Sequence, residues 1–132
     1  MKKIPLLTKI TFHMSNFGLI VLYLYPGSIL GWIIYSDIQK QPQLPSIDFI
    51  TFSSNHFYAF MIISLLGLFS YYKNKAKKLF LYLFFISIFL ELCHSLIPQR
   101  NFEYKDLFGN FLGVLLIFIL FNLYKFFKKI ND

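Results

Sequence analysis

Four long apolar stretches, each edged by charged or polar residues, organise this chain. No formally charged residue lies between Ile10 and Ser36 or between Phe49 and Tyr72. Leu79 to Gln99 carries only Glu91, and Leu107 to Tyr124 carries none. A hydrocarbon core about 30 Å thick takes roughly 20 helical residues to cross. The pattern therefore predicts four transmembrane helices, at about 17–35, 54–72, 79–98 and 107–124, in one domain over 1–132. Pro26-Gly27 falls inside the first, where a membrane helix most often kinks. The Tyr72–Lys78 and Gln99–Lys105 turns are short, which makes the flanking spans antiparallel neighbours. Asp37–Ile47, with Pro42 and Pro45, reads as an extended connector. The first apolar run is longer than a signal-peptide core and is followed by no small-x-small cleavage site, so it is read as an anchor.

Composition supports lipid as part of the solvent. Hydrophobic residues make up 57% of the chain and charged residues 14%, against about 25% charged in soluble domains. The net charge of +7 does not indicate nucleic acid, because the lysines cap apolar runs and form no stripe along a helix. Ten of the thirteen Lys and Arg lie in three segments: Lys2, Lys3 and Lys9; Lys73, Lys75, Lys77 and Lys78; and Lys125, Lys128 and Lys129. Lys40, Arg100 and Lys105 occupy the other two loops, beside Asp37, Asp48, Glu103 and Asp106. Lysine-rich loops stay in the cytoplasm, so both termini are expected inside. Trp32, Tyr35 and Tyr104 fall near the outer boundary, and Tyr71, Tyr72 and Tyr124 near the inner one. Cys93 is alone and offers neither a disulfide nor a metal-type spacing.

Ionisable groups inside a span are costly and mark functional candidates. Ser87, Glu91, His94, Ser95 and Pro98 fall on one helical face of the third span. Asp106, Gly109, Asn110 and Gly113 share a face of the fourth, where the glycines permit close helix packing. Ser53, Ser54, Asn55 and His56 open the second, and its polar face continues through Ser64 and Gly67. At 1.5 Å per residue Glu91 lies about 10 Å below the outer boundary, and Asn110 about 6 Å below Asp106. His56, Glu91, His94 and Asn110, with Arg100 and Asp106 at the mouth, thus occupy one slab although three segments supply them. Each also has a structural reading. Glu91 can be a buried acid paired with His56, His94 or Arg100, His94 a packed core histidine, Asn110 an interhelical bridge, and Arg100–Asp106 a loop ion pair. His13 and Glu103 read as boundary and loop residues. Two histidines and an acid can bind zinc, but no tight spacing such as H-E-x-x-H is present, and neither a metal nor a cofactor is expected.

At these residues the chain resembles the VanZ-like family of small bacterial membrane proteins. Its signature corresponds here to Glu91-Leu-Cys-His94, Pro98-Gln-Arg100 and Asp106-Leu-Phe-Gly-Asn110-Phe-Leu-Gly113, and a second block to His56-Phe-Tyr-Ala59-Phe60, all within 56–117. The sequence departs where the family usually has Gln (here His94), where an Asp-Lys pair often precedes the family's His (here Phe52-Ser53), and at a later Gly of the last span. The resemblance implies a multi-pass protein of the bacterial cytoplasmic membrane with a cell-envelope connection. The name-giving member is associated with resistance to teicoplanin.

Three functions compete. The first is a non-enzymatic envelope accessory whose outward cleft engages membrane lipid, a lipid-linked cell-wall precursor or a glycopeptide. In it Arg100 meets an anionic headgroup by paired hydrogen bonds, and Asp106 and Asn110 shape the site. The second is an intramembrane enzyme with Glu91 as general acid or base and His56 or His94 as proton partner. The third is a small transporter or proton relay, which four short spans form only as an oligomer. No nucleophile with a positioned base is evident, which places the binding module first.

Overall fold

The structure, a computed structural model, describes residues 3–45, 52–71 and 75–131. Lys2, Asp48, Tyr72, Lys73 and the 46–47 end of the expected connector lie outside the described residues. Among the described residues the fold is five helices: α1 (Lys3–Leu24), α2 (Ile29–Tyr35), α3 (Ser54–Tyr71), α4 (Ala76–His94) and α5 (Tyr104–Asn131). Over Tyr104–Ile130, α5 is by itself long and apolar enough to cross a membrane. Leu6–Leu24 and Ile29–Tyr35 together meet the same measure only as a segment broken by a bend of 87°. By the same measure of length and apolarity, α3 with 18 residues and α4 with 19 do not qualify.

The first expected span, 17–35, is not a single kinked helix. Here α1 begins at Lys3, ends at Leu24, and is followed by a turn into α2. Pro26 has no N–H to continue the ladder and disfavours helical backbone at Tyr25. Gly27 then takes φ +97, a left-handed conformation open to glycine. Ser28 caps α2 by accepting from the Gly31 N–H at 2.9 Å. The third expected span, 79–98, is also shifted. After His94 the backbone tightens into three-residue turns, Ser95 N–H to Leu92 O and Ile97 N–H to His94 O, where Pro98 has no N–H to give to His94.

Side-chain contacts give the direction of each helix. Ser70 and Tyr71 at the end of α3 meet Thr8 and His13 near the start of α1, while His56 meets Tyr23 at the opposite ends. These two helices are antiparallel. Asn16–Tyr82 and Tyr23–His94 make α1 and α4 parallel, and Phe84–Phe111 and Phe80–Phe121 make α4 and α5 antiparallel. The start of α1, end of α3, start of α4 and end of α5 therefore share one pole, with Lys9, Lys75, Lys77, Lys78, Lys125, Lys128 and Lys129. His56, Glu91, His94, Arg100 and Asp106 lie toward the other pole.

The core between the helices is apolar, built on Phe60, Ile63, Leu83, Leu90, Val114 and Ile117. The closest approach is α3 against α5. A Cβ on Gly113 would stand 2.5 Å from the Phe57 carbonyl oxygen, and one on Gly109 2.7 Å from that of Ser53. No side chain fits there, so glycine lets the two backbones touch. Outside, Leu7, Met14, Phe17, Phe69, Leu81 and Phe85 are largely exposed. A soluble monomer rarely exposes apolar surface on this scale.

Candidate functional site

The break after Leu24 creates the site's first feature. A helix end leaves carbonyls without N–H partners, and Pro26 removes the donor that would serve Leu22. Arg100, in the loop after α4, fills that gap: Nη2 donates to Leu22 O at 3.1 Å and to Gly27 O at 2.6 Å, and Nε to Tyr25 O at 3.3 Å. His94 lies alongside, with Nε2 3.1 Å from Tyr23 O. A cation at a helix C-terminus also opposes the negative end of its dipole. Partial burial lowers the pKa of Arg100 from its ordinary value, and Tyr23, Asp106 and Glu91 act in the opposite direction. The guanidinium stays charged.

Behind this cap lies a buried polar cluster. Glu91 is 0% exposed; Oε1 accepts from the Glu103 backbone N–H at 3.1 Å, and Oε2 has no hydrogen bond. His94 Nδ1 stands 3.3 Å from Oε2. Because Nε2 faces a carbonyl, which only accepts, Nε2 carries a proton. The Nδ1–Oε2 approach is an ion-pair contact without hydrogen-bond geometry. His94 is therefore the histidine beside Glu91.

His56 pairs elsewhere. Nδ1 is 3.3 Å from Asp106 Oδ1 and 2.7 Å from Ser53 Oγ. Among the described residues Asp106 forms its close pair with His56, and Arg100 is held by α1 carbonyls instead of by Asp106. One ligand-type atom from each of His56, Glu91 and Asp106 lies within 4.8 Å of the other two.

Asn110 works as a bridge. Tyr23 donates its hydroxyl to Oδ1 at 2.6 Å, and Nδ2 donates to Ser87 O at 3.2 Å, which ties α1, α4 and α5 together. The Tyr23 ring stacks on His94, centroids 5.5 Å apart, and meets His56 edge-on at 5.2 Å. Of the polar face expected on the third span, Ser87, Glu91 and His94 are buried, whereas Ser95 and Pro98 are exposed.

Sequence reasoning missed Tyr23, the Glu103 backbone and the α1 carbonyls. Tyr23 sits in an unmarked apolar run and carried no signal. The α1 carbonyls did carry one, since Pro26 must orphan the carbonyl of Leu22 wherever the chain stays helical up to it. His13, read as a boundary residue, contacts the Tyr71 hydroxyl at 2.7 Å.

A cleft of about 360 Å³ opens in front of the cluster, between α1, α2 and α3. Leu19, Leu22, Ile29, Leu30, Ile34, Ala59 and Ile62 form its apolar walls, and His56, His94, Arg100, Ser28 and Asn55 supply polar groups. Asn55 pins the 41–45 segment beside it, accepting from Leu44 N–H at 2.8 Å and donating to Pro42 O at 2.6 Å. An adjoining polar cavity of about 290 Å³ shares Ser28, Gln41 and Arg100 with it. Glu91 and Asn110 are fully buried, and neither they nor Asp106, which with Asn110 was expected to shape the ligand site, lines these two cavities.

A helical bundle with apolar outer surfaces and its polar side chains gathered inside toward one pole belongs to the membrane-protein class. The chain is a member of the VanZ/LLP1 family, whose pattern matches residues 6–125. No curated protein and no solved structure matches it.

Proposed function

We propose that this protein is a non-enzymatic accessory of the bacterial cell envelope that holds an amphipathic, lipid-like ligand in the α1–α2–α3 cleft. The observation that carries this reading is a pair of cavities of opposite character meeting at one cation. The larger is walled by apolar side chains, the smaller is polar, and Arg100 lines both. The larger volume falls within the range of about 300–1,000 Å³ typical of ligand sites. An acyl or prenyl chain suits the first and an anionic headgroup the second. Arg100 spends Nε and Nη2 on α1 carbonyls, so its contact with a headgroup falls to Nη1.

In this reading α1, α3, α4 and α5 cross the cytoplasmic membrane, and the lysine pole, with both termini, faces the cytoplasm. The cleft then opens in the outer half of the bilayer, where lipid-linked cell-wall precursors and glycopeptides such as teicoplanin meet. A role in glycopeptide resistance follows from that position.

Native mass spectrometry of the purified chain tests the binding. One retained lipid-sized mass, lost in Ala59→Phe, which fills the cleft wall, is the expected result. Equal retention in both proteins, or none in either, overturns it. Expression of the wild type but not of Ala59→Phe is expected to raise the teicoplanin concentration a sensitive host survives.

A second reading, an intramembrane enzyme acting on the same kind of ligand, rests on the His56–Asp106 pair beside the Glu91–His94 pair. A cleaved lipid product that disappears with Glu91→Gln would favour it.

A further inference from the structure

His56, Glu91 and Asp106 come from three helices, so no spacing along the chain advertises them as a group. We propose that they form a divalent-cation site of the zinc class, with one imidazole and two carboxylate ligands. Ligands about 2.0–2.2 Å from a zinc ion stand roughly 3–3.5 Å from one another. His56 Nδ1 and Asp106 Oδ1 are already 3.3 Å apart. One ligand-type atom from each of the three residues lies within 4.8 Å of the other two, a gap that side-chain rotation has to close on binding.

The electrostatics call for a cation. Two carboxylates approach each other in a partly to fully buried region, and Arg100, the cation of the loop after α4, gives its Nε and Nη2 donors to the carbonyls at the end of α1. Glu91 is wholly buried, and its Oε2 accepts no hydrogen bond. His94 Nδ1 stands 3.3 Å from it without hydrogen-bond geometry; a buried oxygen that accepts no hydrogen bond is an uncommon finding in a folded protein, and a metal ion supplies a partner. The other oxygen of the same carboxylate is held by the Glu103 N–H at 3.1 Å, the kind of outer support that orients metal-ligating carboxylates. The donor set of one nitrogen and two oxygens, without thiolate, suits Zn²⁺, Mn²⁺ or Fe²⁺. Three protein ligands leave a position open, as in catalytic zinc sites. His56 also lines the cleft.

The test uses the full chain in nanodiscs, stripped with chelator and titrated with Zn²⁺ against a chromophoric competitor. One zinc per chain is expected, with affinity falling about tenfold or more in Asp106→Asn and in Glu91→Gln and unchanged in His13→Asn, which lies toward the lysine pole. Equal affinity in all four proteins, or no saturable binding to the wild type, overturns the proposal. Should a variant fail to fold, the wild type alone decides. Bound Co²⁺ is expected to show intense visible absorption of a low-coordinate site, and a spectrum matching aqueous Co²⁺ sinks the idea. No lipid takes part in these readouts, so the site stands or falls apart from what fills the cleft.

Discussion

Nη2 of Arg100 lies 3.1 Å from the carbonyl oxygen of Leu22, which is the carbonyl that Pro26, four residues on, cannot serve. The chain breaks a helix at one place and repairs it from a loop more than seventy residues away. A partly buried carbonyl left unserved costs about 1–3 kcal/mol, so this contact holds α1 to the loop after α4.

Arg100→Ala is expected to destabilise the fold by about 2–4 kcal/mol, since more than one carbonyl loses its partner. Arg100→Lys recovers only part, because an ammonium lacks the planar fork that reaches three acceptors. In a Pro26→Ala background, which restores an N–H for Leu22, the loss from Arg100→Ala should shrink. A double-mutant cycle by thermal unfolding in detergent reads this coupling. Additive effects would show that the two residues act independently.

Gly113→Ala is expected to cost about 2 kcal/mol or more, and Gly109→Ala a similar amount, because overpacking forces backbones apart. Gly18→Ala meets nothing within 4 Å and should be neutral, or stabilising by up to about 1 kcal/mol through helix propensity. Unfolding curves of the three variants side by side check the order.

Tyr23→Phe removes the hydroxyl that Asn110 accepts from and keeps the ring on His94. The expected cost is about 0.6 kcal/mol, and no more than about 1.7, as for interhelical hydrogen bonds in membranes. Tyr23→Ala also loses the stacking and a buried ring, so about 3–5 kcal/mol is expected. Near-equal losses would show that the hydroxyl carries the whole effect.

Sidedness is open to labelling. In a Cys93→Ala background, Gln43→Cys should react with a membrane-impermeant thiol reagent in intact cells, and Lys129→Cys only after permeabilisation. The reverse pattern would place the polar cluster toward the cytoplasm and remove the link to outer-face envelope chemistry.

The helical character of the chain and the slab holding its polar residues were legible without coordinates. Run length and lysine placement are local properties, and each apolar run had to satisfy its own backbone as helix. The helix ends were less legible, because α1 stops at Leu24 and α4 at His94 for reasons of backbone bonding that hydropathy does not register. The site's pairings were not legible at all. Glu91 had three plausible partners by depth, and Arg100 was read as facing a ligand or Asp106. Which histidine stands beside Glu91, and which carbonyls take Arg100, depends on where α1 breaks and how each helix is rotated about its axis. Hydrophobic runs specify how far a segment reaches through an apolar phase. Partner choice among buried polar groups is a pairwise matter, decided only when distant segments are packed to within a hydrogen bond of one another.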